Sequence, residues 1–96
     1  MKNLTEIKFK LQQALPLLRK KFPIASLAVF GSYVRDEQSK SSDVDIMVEF
    51  NGDVGWEFLE LKEELESLLK VKVDLISRRG IKPRYWEFLK EKMVYV

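Results

Sequence analysis

Apolar positions at the start of the chain recur at spacings of three and four: Leu4, Ile7, Leu11, Ala14, Leu15 and Leu18. Side chains so spaced share one face of an α-helix, and Asn3 with Glu6 three residues on marks its start as a cap. Pro16 lies inside this run and predicts a kink or a fresh helical start, because it has no N–H to donate to the preceding turn. Beyond Pro23, Leu27-Ala28-Val29-Phe30 reads as a short buried strand; Gly31-Ser32 ends it, and Tyr33-Val34-Arg35 starts a short helix. The polar stretch from Asp36 to Ser42 has no periodicity and predicts a surface loop. The pattern then changes to period two: Val44, Ile46 and Val48 alternate with Asp43, Asp45, Met47 and Glu49, as in a strand with one strongly apolar face. Asn51 to Gly55 is a turn. From Trp56, the positions Phe58, Leu61, Leu65, Leu68 and Leu69 predict a second amphipathic helix with its glutamates in solvent. A third strand follows over Val71–Ser77, with Asp74 in its middle. Pro83 suits the first turn of a last helix that turns Tyr85, Trp86, Leu89 and Met93 inward. The apolar tail Val94-Tyr95-Val96 is left to cover a sheet edge or meet another chain.

Composition narrows the possibilities. Ninety-six residues, 46% hydrophobic and 33% charged, predict one domain over residues 1–96, with no room for a second. The chain has no cysteine, so disulfide and thiol chemistry are excluded. It has no histidine either, so a general base must be a carboxylate, lysine, tyrosine or water, and zinc sites built on His or Cys are ruled out. The start, from Met1 and Lys2 to Glu6, lacks the apolar core of a signal peptide, and no later run approaches a membrane span; a cytoplasmic protein is expected. A net charge of +2 is too small to argue for nucleic acid, and direct nucleic-acid binding is not expected. Arg19-Lys20-Lys21 suits a solvated helix end or a partner surface. From Lys70 onward, basic residues outnumber acidic ones eight to three, an excess that serves either solubility or an anionic ligand.

The candidate chemistry lies between Phe30 and Phe50. Asp43 and Asp45 point the same way from their strand, with Cα atoms about 7 Å apart at a rise of about 3.3 Å per residue. Two such carboxylates resist joint ionisation unless a cation neutralises them, and oxygen ligands suit a hard divalent ion such as Mg²⁺. Upstream, across a spacer of ten residues, the Gly31 turn and the Ser32 hydroxyl offer hydrogen-bond donors to phosphate. Phosphate donors on one side and metal ligands on the other are what nucleotidyl transfer needs. The structural alternative makes Gly31-Ser32 a plain turn and the two acids the solvated face of an edge strand. For Asp74 the alternatives are a bond to a neighbouring loop or exposure on an edge.

Gly31-Ser32, ten residues, then Asp43-Val44-Asp45 resembles the signature of the polymerase-β-like nucleotidyltransferases. Gly31-Ser32-Tyr33-Val34-Arg35 with Ser42-Asp43-Val44-Asp45 is similar to the minimal nucleotidyltransferase (MNT) branch. Four fixed residues at fixed spacing arise by chance in roughly one chain of this size in a thousand. Val73-Asp74-Leu75 matches the context of the family's third carboxylate. One departure stands out: Asp36 occupies a position where the family usually has glycine, and it tolerates a positive φ less well. The resemblance implies an α/β (α+β) fold, a small three-stranded mixed sheet with helices on one face in the order α-β-α-β-α-β-α. The first two strands run antiparallel and the third parallel to the second, which stands Asp74 beside Asp45. It further implies two Mg²⁺ ions held by Asp43, Asp45 and Asp74, ATP as substrate, and Gly31, Ser32 and Arg35 toward the phosphates. The implied activity is adenylylation of a tyrosine on a HEPN-domain ribonuclease toxin, with this chain as a type VII-like antitoxin in a hetero-oligomer. The competing class is an MNT-like antitoxin that neutralises its toxin by covering it, a role that Asp36 favours.

Overall fold

The computed structural model describes residues 3–39 and 41–96. Met1 and Lys2 of the expected non-signal start, and Lys40 of the expected loop, lie outside the described residues. The elements are α1 (Leu4–Lys21), β1 (Ile24–Phe30), β2 (Val44–Phe50), α2 (Glu57–Leu69), β3 (Val73–Ser77), α3 (Pro83–Leu89) and β4 (Val94–Tyr95).

Asn3 caps α1 as expected, its side-chain oxygen accepting from the Glu6 N–H at 2.9 Å. Pro16 does not restart the helix, which is assigned unbroken from Leu4 to Lys21. Pro16 and Gln12 both lie on the exposed side, so the Gln12 carbonyl that loses its helical donor faces water instead. The basic run at the helix end is used locally. Arg19 Nη2 donates to the Ala25 carbonyl at 3.1 Å, and Lys21 Nζ pairs with Glu64 at 2.8 Å. Two of the α2 glutamates read as solvated are thereby structural, since Glu66 also accepts from the Val73 N–H at 3.0 Å and ties the helix to the strand that follows.

The sheet has four strands in the order β3-β2-β1-β4, not three. The addition is the tail, where Val94 and Tyr95 pair antiparallel with Val29 and Ala28. Two residues are too few to show a period, so the strand was legible only as an apolar end. β1 and β2 are antiparallel, and β2 and β3 are parallel, joined through α2.

Helices cover both faces, which corrects the expectation of one. Val29, Ile46, Val48 and Leu75 point toward Ile7 and Leu11 of α1 and Leu61 and Leu65 of α2, in the larger core. On the opposite face, Ala28 and Met47 join Ile81 and Met93, with Phe30, Ile76, Trp86 and Leu89 packed around them. Met47 is 1% exposed, so the polar phase of the β2 alternation becomes a second core beyond its two aspartates. The last helix stops at Leu89 and tightens into a 3₁₀ turn over Lys90–Lys92. Met93 is buried, as its apolar character predicts, but it lies beyond the helix; Tyr85 turns outward and is 52% exposed.

Candidate active site

The alternation of β2 carries Asp45 onto the face covered by α3, two residues before Met47. The sheet register then sets its neighbours: Asp45 lies opposite Phe30 of β1 on one side and Asp74 of β3 on the other. Immediately after Phe30 the chain turns. Gly31 takes φ 79°, and its carbonyl accepts from the N–H groups of Val34 at 3.1 Å and Arg35 at 3.2 Å. The turn is a 3₁₀ segment over Gly31–Tyr33 rather than a helix beginning at Tyr33, and the buried Tyr33 ring anchors it.

Gly31 is required here for two independent reasons. Its φ lies in the left-handed region that L side chains disfavour by roughly 1–2 kcal/mol. A Cβ on it would also stand 2.0 Å from Asp45 Oδ2 and 2.8 Å from Asp45 Cγ. The carboxylate of Asp45 therefore rests in the space that a side chain at position 31 would fill.

Burial of that carboxylate raises the Asp45 pKa from its ordinary 3.8 to about 6; the charge of Asp74, a side-chain hydrogen bond with Asp74 and the charge of Asp43 add to the rise, while Arg35 opposes it. The parallel register stands Asp45 directly beside Asp74. Asp43 lies at the mouth of β2, exposed, near enough for its charge to act on Asp45. Asp74 is exposed too and lies on an edge strand, so edge exposure and the pairing with Asp45 hold together. Among the described residues no three acidic side chains converge as a ready-made metal cage. The donor chemistry nevertheless fits a divalent cation: Asp45 and Asp74 lie side by side on one face of the sheet with Asp43 near by, oxygen donors of the kind a hard ion takes.

Ser32 is half-buried, and its carbonyl accepts from the Glu37 N–H at 2.9 Å. Arg35 Nε donates to Glu37 Oε1 at 2.7 Å, both side chains well exposed. Asp36 takes φ 57°, so the backbone adopts with aspartate a left-handed conformation that glycine reaches more readily. Its carboxylate is on the exposed side of the turn.

A cavity of about 530 Å³ opens beside Asp45 and Gly31, and its walls include Val34, Arg35, Phe88 and Lys92. A volume of this order suits a small-molecule ligand. Leu89 entered the sequence reading only as a last-helix residue and Lys92 only within the basic excess, while Phe88 was missed. The available signal was Phe88 itself, an aromatic three residues after Tyr85 on the outward phase of α3, and it is 65% exposed.

Strand order, the Gly31 turn and the facing aspartates define a nucleotidyltransferase core, and the chain belongs to that family: the nucleotidyltransferase domain model matches residues 11–96. Within it, the chain is similar to the protein adenylyltransferase MntA of Thermococcus cleftensis, 39% identical over 97 residues that span 100% of this chain and 98% of the relative. A solved structure of a candidate minimal nucleotidyltransferase superposes with a TM-score of 0.82 at 32% identity, covering 97% of this chain and 95% of that one. A chain of a toxin-antitoxin crystal structure with AMP-PNP matches with a TM-score of 0.72 at 26% identity, over 88% of this chain and 69% of that one.

Proposed function

We propose that this chain transfers AMP from Mg-ATP to a hydroxyl of a protein partner, a tyrosine of a HEPN-domain ribonuclease toxin, and thereby acts as its antitoxin. The observation that carries the proposal is the seat of Asp45 against Gly31, beside Asp74 and at the edge of a ligand-sized cavity. The similarity to a protein adenylyltransferase and to a chain of a toxin-antitoxin complex with AMP-PNP supports the acceptor and the donor.

In the proposed reaction the phenolic oxygen attacks the α-phosphorus of ATP. The bond from that phosphorus to the oxygen bridging to the β-phosphate breaks, and pyrophosphate leaves. Asp43, Asp45 and Asp74 would hold Mg²⁺, whose charge would offset the phosphate oxygens and favour an in-line approach. The chain's own part is positional. Gly31 leaves room for Asp45, the register holds Asp74 next to it, and the Gly31-Ser32 turn faces the phosphates with Arg35 close by. Asp74 or water takes the phenolic proton, since the chain offers no histidine. Asp36 leaves the turn in the conformation that glycine would give, which weakens the case for a purely covering antitoxin.

Intact-mass spectrometry of the toxin after incubation with this protein and Mg-ATP tests the proposal. Increments of AMP on the toxin are expected with the wild type and none with Asp45→Asn. Neutralisation by both forms without any increment would replace the enzyme with a binding antitoxin.

A further inference from the structure

The cavity beside Asp45 is wider than a phosphate site requires, and its far wall comes from the C-terminal part of the chain. Phe88 lines it together with Leu89 and Val34, while Arg35 and Lys92 supply positive charge. Phe88 has no place in either core, and 65% of it is exposed. An exposed ring usually follows from chance, but this one is held in place. Lys92 Nζ lies 3.7 Å from the ring centroid and donates to the Phe88 carbonyl at 3.3 Å, so the lysine steadies one side of the ring and brings a cation to the cavity.

We propose that Phe88, with Leu89 and Val34, is the platform on which the base of the donor nucleotide stacks, and that it favours purines over pyrimidines. The inference rests on the nucleotidyl-transfer reading of the same site and adds the subsite that recognises the base. The physical case is one of continuity. A nucleotide whose phosphates lie at Gly31 and Asp45 extends along a single cavity, the rest of which is an apolar and aromatic wall with cations beside it. Every base has a π-face, the larger purine face covers more of the ring, and stacking on an aromatic side chain discriminates by contact rather than by hydrogen bonds. Base preference is then a property of the segment from α3 to the 3₁₀ turn, separate from the acids on β2 and β3.

Calorimetric titration of wild type, Phe88→Ala and Phe88→Trp with Mg-ATP, Mg-CTP and magnesium tripolyphosphate tests this, with melting temperatures to show that each variant is folded. Wild type is expected to prefer ATP to CTP. Phe88→Ala should weaken ATP binding by roughly 5- to 150-fold, the range for loss of one stacked base, erase the preference over CTP, and leave tripolyphosphate unchanged. Phe88→Trp should restore ATP binding. Equal ATP affinity in wild type and Phe88→Ala overturns the base subsite and leaves nucleotidyl transfer standing. A parallel loss of ATP and tripolyphosphate in Phe88→Ala also overturns it, since the ring would then act on the phosphate end. Failure of the wild type to bind either ligand removes the transfer reading and the subsite with it.

Discussion

The two faces of the sheet are built to different ends. Toward α1 and α2, strand residues such as Val29, Ile46 and Val48 meet two long helices whose inner rows are fully covered. Toward α3 the cover is a seven-residue helix and a 3₁₀ turn over a core that has four buried members among the described residues, and Asp45 and Asp74 lie on the same face of the sheet. A long amphipathic helix seals a face along its whole length, whereas a short one leaves the strand ends open. The difference teaches where a small fold can place charge. Carboxylates at the β2 and β3 starts need one side partly dry and the other reachable, and only the thinly covered face offers both.

Substitutions that shrink the sealed face should cost stability and spare the site. Leu61 is fully buried between α2 and the sheet, and Leu61→Ala is expected to lose about 2–5 kcal/mol by chemical denaturation. The folded fraction should bind metal and nucleotide with unchanged affinity. A loss under 1 kcal/mol would mean that the sealed face is not the main source of stability.

Gly31→Ala should reverse that balance. Its new Cβ collides with Asp45 Oδ2 and must adopt a left-handed φ, at a strain of roughly 1–2 kcal/mol. Moving the carboxylate by about 1 Å costs on the order of a hundredfold in turnover. AMP transfer by a folded Gly31→Ala at the wild-type rate would show that the seat of Asp45 does not matter.

A smaller effect follows from pH. Asp45 binds its proton more tightly in the fold than the ordinary 3.8, at about 6, because burial and Asp74 disfavour its charge. The folded state therefore holds more protons than the unfolded one between those values, and metal-free stability falls as pH rises from about 4 to about 6. Asp45→Asn, with no charge to bury, should match wild type below pH about 4 and exceed it above about 6, as read from chelator-treated melting curves. A difference that does not change with pH would contradict the shift.

Much of this was written in local periodicity. The alternation of Asp43 to Phe50, and the three-and-four spacing from Leu4 and from Phe58, follow directly from which face each residue buries, so β2, α1 and α2 are visible in the chain. The pairing of Asp45 with Asp74 followed once a parallel crossover was assumed, and the register bears it out. The second core did not show, because Met47 and Ile76 sit in a phase whose other members are charged: Asp43, Asp45 and Glu49 on one strand, Lys72 and Asp74 on the other. β1 begins at Ile24, earlier than its apolar run, since Ala25 and Ser26 give weak strand signals yet Ser26 pairs with Glu49. The steric need for Gly31 depends on a contact with a residue fourteen positions away, and no local pattern reports such a contact. Phe88 was not singled out, because a ring that lines a cavity and a ring that faces water share the same helical phase.

The claim at the centre of this account is that the open face carries a divalent-cation site made of carboxylates. It is tested most directly by the melting temperature at neutral pH of wild type and Asp45→Asn, each with chelator and with Mg²⁺ or Mn²⁺ at increasing concentration. A cation that binds only the folded state raises stability with its concentration. Wild type should start lower than Asp45→Asn without metal and climb as metal is added, while the variant stays level. An equal rise in both proteins, or none in wild type, would contradict the account.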